Sequence, residues 1–168
     1  MKTIVVIPAF NEQAAIGGVV EKSLQYADDV LVVDDGSKDN TSEIAKNAGA
    51  SIIKHPTNFG KGVALKDAFN NVDGYDVVVT IDGDGQHNPE EIPDLVKPIL
   101  EGRADFVNGS RYIDGFEENT PAYRRVGQRV LDIATNVTAG TSVTDSQSGF
   151  RAFRGNTISL RLDRKSVV

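Results

Sequence analysis

Short apolar runs alternating with amphipathic stretches over roughly the first 110 residues predict an α/β fold with a mainly parallel central sheet and helices on both faces. Three observations carry this prediction. The apolar runs are continuous, as expected of strands buried on both faces. A stretch with helical spacing of apolar residues follows almost every run. Two of the runs end directly in paired carboxylates and glycines, the residue types that build a ligand crevice at the carboxyl edge of an open α/β sheet.

In chain order, Thr3–Pro8 (TIVVIP) predicts a first strand stopped by a proline. Ile16, Val19, Val20 and Leu24 share a helical face, with Asn11 available as its N-cap. Asp29–Val33 (DVLVV) predicts a second strand leading into Asp34-Asp35-Gly36-Ser37. Asn40 and Glu43 have capping-box spacing for a helix through Ala48 that Gly49 stops. Ser51–Lys54 is a weak third strand, and Asn58-Phe59-Gly60-Lys61-Gly62 is a turn into a helix carrying Leu65, Ala68, Phe69 and Val72. The central stretch is Asp76–Gln86 (DVVVTIDGDGQ), a buried strand ending in an acidic turn. A helix over Pro89–Leu100 with Ile92, Leu95, Val96 and Ile99 inward follows, then a strand over Ala104–Asn108. Beyond a polar loop, Val126, Val130, Ala134 and Val137 predict one more helix, and Thr141–Phe153 reads as short strand or loop.

Composition narrows the function. With 168 residues, 39% of them hydrophobic, one globular domain is expected. A formal charge of −6 argues against nucleic acid as a partner. The absence of cysteine excludes disulfides, thiolate nucleophiles and Cys-ligated zinc, and fits a reducing cytosol. No apolar run reaches the ~18 residues of a membrane span, and no signal peptide precedes the first strand.

Asp82 and Asp84, separated by Gly83 at the end of the central strand, are hard oxygen donors suited to Mg²⁺ or Mn²⁺, which could in turn hold a diphosphate. The competing reading is an acidic turn that caps the next helix. Other nucleotide sites fit poorly. Pro8-Ala9-Phe10-Asn11-Glu12 stands where a dinucleotide fold needs G-x-G-x-x-G, and Gly60-Lys61-Gly62 lacks the spacing and hydroxyl of a Walker loop. A sugar-phosphate nucleotidyltransferase would open on a glycine-rich loop with Arg and Lys, which the first strand lacks.

Pro8-Ala9-Phe10-Asn11-Glu12, Val32-Val33-Asp34-Asp35-Gly36-Ser37-x-Asp39-x-Thr41 and Asp82-Gly83-Asp84 resemble, in order and spacing, the P-x-[YF]-N-E, V-D-D-G-S-x-D-x-T and D-x-D motifs of family 2 glycosyltransferases of the GT-A fold. Asn58-x-Gly60-Lys61-Gly62, Gly109-Ser110-Arg111-Tyr112 and Asp145-x-Gln147-Ser148-Gly149-Phe150-Arg151 are most similar to the subgroup that makes polyprenyl-phosphate sugars, dolichol-phosphate mannosyltransferases among them. The resemblance spans roughly residues 3–154.

It implies an inverting, metal-dependent transferase acting on a GDP-mannose or UDP-sugar donor and a lipid-linked phosphate acceptor at the cytoplasmic membrane face. Pro8, Phe10 and Glu12 would line the nucleotide pocket, Val33 and Asp35 would contact base or ribose, and Asp82 and Gly83 would lie against the nucleotide. Asp84 and Gln86 would hold the cation. Arg111 and Arg124 would bind the acceptor phosphate, and Asp145 would act as a base or shape the donor-sugar end of the pocket. His87 is expected as a solvated helix-entry residue.

Two departures stand out. Gln128 occupies a position where the mannosyltransferases often carry a phosphate-binding serine. The final residues, Arg161–Val168, match nothing in the family pattern. One GT-A domain, truncated or atypical after about residue 154, is therefore expected, with an intact donor site and an incomplete acceptor side. The rival readings are a catalytically idle nucleotide-sugar-binding module and a family 2 transferase acting on a hydroxyl acceptor.

Overall fold

The computed structural model of the chain describes residues 1–109 and 149–158. Its elements are β1 (Thr3–Ala9), α1 (Ile16–Ser23), β2 (Asp29–Asp34), α2 (Thr41–Asn47), β3 (Ser51–Lys54), α3 (Lys61–Phe69), β4 (Val77–Thr80), α4 (Ile92–Leu100), β5 (Phe106–Asn108) and β6 (Arg151–Arg154). They build a sheet of order β3-β2-β1-β4-β6-β5. β3, β2, β1 and β4 pair in parallel, whereas β6 runs antiparallel to both β4 and β5.

Alternation along the strands divides the core into two layers. Val5, Ile7, Val30, Val32, Val77 and Val79 pack beneath Ile16, Val19 and Val20 of α1 and Ile92, Leu95, Val96 and Ile99 of α4. Ile4, Val6, Leu31, Val33 and Val78 point the other way, onto Ala64 and Ala68 of α3. The central strands are apolar at consecutive positions because both of their faces are covered.

The structure corrects several local expectations. Asn11 is no N-cap: it has a positive φ of 57°, and α1 begins later, with Ala15 in the capping position. The Asn11 carboxamide oxygen instead accepts from the Lys38 amide at 2.9 Å, and its own amide donates to Ser37 Oγ at 2.9 Å. Asn40 precedes α2 without a side-chain capping bond, since Asp39 Oδ1 accepts from the Thr41 amide at 3.0 Å. The predicted helix from Pro89 starts as a 3₁₀ turn, Pro89–Glu91, on Asn88, whose side chain accepts from the Glu90 amide.

Two features bring the strand ends together. The loops after β1 and β2 are stitched by side chain to backbone bonds, including Glu12 N to Thr41 Oγ1 at 2.8 Å. The antiparallel β6 brings Gly149 and Phe150 to the carboxyl end of β4, where Thr80 Oγ1 donates to the Gly149 carbonyl at 2.9 Å.

Candidate donor-binding site

The carboxyl ends of β1, β2 and β4 surround an open cleft of about 200 Å³, lined by Pro8, Phe10, Glu12, Asp35, Asn58, Lys61, Asp82, Gly83 and Asp84 among others. Parallel pairing of β1 with β2 and β4 puts all three acidic or polar strand ends on one edge, so the motif spacing in sequence becomes proximity in space. Phe10 is 41% exposed and belongs to the cleft wall, not to the core. Gly83 lies close over Ile7, Ala9 and Ile16, where a side chain would meet tight contacts.

The acids of the cleft differ in how much of their bonding capacity the protein satisfies. Asp35 is buried, and burial alone would push its carboxyl upward. Hydrogen bonds from the Phe59 amide (2.9 Å), the His55 ring (Nδ1, 2.7 Å) and the Gly60 amide (2.7 Å) outweigh that and hold it below the usual carboxylate range. Its neighbour Asp34 is also lowered against the effect of burial, by bonds from Ser37 and Ser42 and the nearby Lys54 ammonium. Asp82 pairs with Lys61, while Asp84 Oδ1 accepts from the Gln86 amide at 3.0 Å. Glu12 is pushed above its usual range, first by burial and then by repulsion from Asp84, Asp39 and Asp82.

This repulsion supplies a test of fit for a divalent cation. Among the described residues no group of three His, Cys, Asp or Glu side chains forms a ready cage. What the cleft offers is exposed Asp84 near Glu12, whose ionised form the negative charges of Asp84, Asp39 and Asp82 disfavour. Such a donor set suits a hard ion that takes most of its shell from water and phosphate oxygens.

The structure gathers Pro8, Phe10, Glu12, Asp35, Asp82, Gly83 and Asp84 around the cleft. Two expected site residues lie apart from its lining. The Val33 side chain is fully buried against α3, which leaves only its backbone near the strand end. Gln86 is exposed. Arg111, Arg124, Gln128 and Asp145 lie outside the described residues. His87 is buried, with its ring 5.4 Å from that of Phe150, and is not the solvated residue expected. The sequence reading left His55 without a role, although its position just after a strand at the acidic edge was a usable signal.

The sequence matches the family described as "Glycosyl transferase family 2" over residues 4–158. The chain belongs to that family. Among its relatives, the UDP-N-acetylglucosamine–dolichyl-phosphate N-acetylglucosaminyltransferase of Methanococcus voltae is 38% identical, over 88% of this chain and 67% of the relative. The undecaprenyl-phosphate mannosyltransferase of Micrococcus luteus is 32% identical, over 94% of this chain and 68% of the relative. The glucosyl-3-phosphoglycerate synthase of Mycobacterium tuberculosis, solved with Mn²⁺, UDP-glucose and phosphoglyceric acid, superposes with a TM-score of 0.73 at 28% identity, over 92% of this chain and 57% of that one. The chain thus spans roughly half to two-thirds of the length of such family 2 relatives. The fold is the GT-A fold, with its mostly parallel sheet and the antiparallel β6 inserted between β4 and β5. Among the described residues no helix is long and apolar enough to cross a membrane.

Proposed function

We propose that the chain is the catalytic domain of an inverting, divalent-metal-dependent glycosyltransferase that moves a sugar from a nucleotide diphosphate to a polyprenyl phosphate. The observation that carries this reading is the cleft itself, where Glu12, Asp35, Asp82 and Asp84 converge from three parallel strand ends and Lys61 pairs with Asp82. The relatives from Methanococcus voltae and Micrococcus luteus, both named for lipid-phosphate acceptors, support the acceptor class. The Mn²⁺ complex of the mycobacterial structure supports a divalent cation.

In this reading Pro8, Phe10 and Asp35 hold the nucleoside, and Asp82 and Gly83 pass close to it. Asp84, with Gln86, holds Mg²⁺ or Mn²⁺. When bound, the cation offsets the charge that grows on the nucleoside diphosphate as it leaves. A phosphate acceptor is already an anion, so it needs orientation more than a base, and Arg111 and Arg124 supply forked donors for that task. A phosphate oxygen attacks the anomeric carbon from the face opposite the departing diphosphate, which inverts the centre. Asp145 shapes the donor-sugar end of the site. In this reading the domain works at a membrane surface, where its lipid-linked acceptor lies, and on the cytoplasmic face.

The test is donor binding by calorimetry across UDP- and GDP-sugars, with Mg²⁺, with Mn²⁺ and without metal, followed by product analysis with a polyprenyl phosphate. Tight binding that needs metal, fails in Asp84→Ala and yields an inverted lipid-linked sugar is expected. Binding that ignores both metal and Asp84→Ala, with no product, would overturn the enzyme reading and leave a nucleotide-sugar-binding module.

A further inference from the structure

His55 stands at the end of β3, beyond the cleft lining, yet it is 7% exposed and touches the most heavily hydrogen-bonded acid of the site. Its Nδ1 lies 2.7 Å from Asp35 Oδ1, and its Nε2 lies 3.2 Å from Asp67 Oδ2 on α3. The ring also packs against Phe59, with centroids 5.4 Å apart. An ionised carboxylate can only accept, so Nδ1 must be the donor in the bond to Asp35.

The consequence for Asp35 is geometric. Oδ1 takes the His55 Nδ1–H and the Phe59 amide, and Oδ2 takes the Gly60 amide. These donors come from β3 and the loop leading to α3, so they fix the carboxylate plane from the side away from β1. One edge of Oδ2 is left with spare accepting capacity in a residue that lines the cleft. Among the described residues His55 is the one side chain that donates to Asp35; the other two donors are backbone amides that no ordinary substitution removes.

We propose that His55 is a positioning residue for donor recognition: its Nδ1–H holds the Asp35 carboxylate in place, aimed into the cleft. The inference rests on the donor-binding function assigned to the cleft and adds a residue outside it. Without the Nδ1 donor, Asp35 keeps its burial but loses part of what compensates for it, so the carboxylate rotates or takes up a proton and no longer accepts from the nucleoside. Because this contact serves the ground and transition states alike, its loss acts on donor affinity and KM while kcat stays near the parent value.

The experiment compares His55→Leu, His55→Asn and His55→Gln with the parent chain, using donor titration calorimetry, steady-state kinetics and thermal unfolding. The Asn carboxamide NH₂ reaches the place of Nδ1, whereas the longer Gln places its NH₂ near that of Nε2. His55→Leu and His55→Gln should weaken donor binding about ten-fold or more, the loss expected for one hydrogen bond to a charged group. His55→Asn should recover most of that affinity, and kcat should change little in all three. Should His55→Leu fail to fold, the Asn and Gln pair decides: equal weakening in both, or parent affinity in both, overturns the positioning role. A parent chain that binds no nucleotide sugar at all would sink the donor-site reading first and this proposal with it, whereas tight parent binding indifferent to position 55 would overturn the proposal alone.

Discussion

β2 and β4 end in similar sequence, two carboxylates within three residues beside glycines, yet the two ends put their acids to different uses. After β2, Asp34 and Asp35 are almost consumed by the protein: Ser37, Ser42 and Lys54 surround the first, and His55 with two backbone amides surrounds the second. After β4, Asp82 has a Lys61 partner that is itself half exposed, and Asp84 has the amide of Gln86. Asp34 has spent its bonding capacity on holding loops and Asp35 keeps one accepting site on Oδ2, whereas the β4 pair retains most of its capacity for something that arrives from solution. A D-D-G and a D-G-D motif are thus alike in composition but differ in how many protein donors hold their acids, and the partner count separates them better than the motif does.

The largest effect that could break this contrast is on turnover. Asp84→Ala should lower kcat by about a thousand-fold, the scale of losing an electrostatic stabiliser of the transition state, while thermal unfolding without metal shows equal or higher stability. A variant that lost stability and kept its rate would make Asp84 a structural acid. Next in size, Asp34→Ala should cost about 3 kcal/mol in urea unfolding, because a fully buried carboxylate leaves Ser37 N–H and the Ser42 hydroxyl without their acceptor. Its stability loss should exceed its loss of donor affinity, the reverse of Asp84→Ala.

A third substitution sharpens the β4 side. A methyl group on Gly149 would collide with the Asp82 carboxylate, so this glycine sets how closely the strand entering β6 approaches the acid. Gly149→Ala should therefore push Asp82 out of place and weaken donor binding about ten-fold, in line with the ~1–3 kcal/mol that overpacking costs. Calorimetric affinity equal to that of the parent would show that Asp82 tolerates the shift.

The same contrast explains what was legible in the sequence. β1, β2 and β4 announced themselves as continuous apolar runs because both faces are covered, and the acids at their ends followed at once from parallel pairing. β6 was legible only as short strand or loop: RAFR sets two apolar residues between charges, and what makes it a strand is pairing with β4, more than 70 positions away. His87 looked solvated because its neighbours in sequence are polar, and it is buried because Phe150 reaches it from the far end of the described chain. Asn11 carries a capping side chain, but in the left-handed region it serves the Lys38 amide of another loop. His55 was missed for the same reason, since both of its carboxylate partners are distant in sequence. Each miss is a contact between segments distant in sequence that local pattern cannot encode.

The smallest effect concerns Glu12, which separates the two loops by the sign of its pH dependence. Asp34 and Asp35 lie below the ordinary carboxylate value when folded, so they add stability above the ordinary value of 3.8 and lose it as pH falls through their folded values. Glu12 lies above its ordinary 4.5, so its favourable contribution is complete below 4.5 and is lost as pH rises through the folded value. At neutral pH the ionised Glu12 is therefore a cost, set by burial and by the charges of Asp84, Asp39 and Asp82. Glu12→Gln should raise Tm by a few degrees at most at pH 7, and the gap to the parent should close as pH is lowered toward 4.5. Mg²⁺ or Mn²⁺ at Asp84 would cancel part of the same repulsion, so adding either ion at pH 7 should stabilise the parent more than Glu12→Gln. A gap indifferent to both pH and metal would mean that Glu12 does not feel the acids of the β4 edge, and the contrast would lose its electrostatic basis.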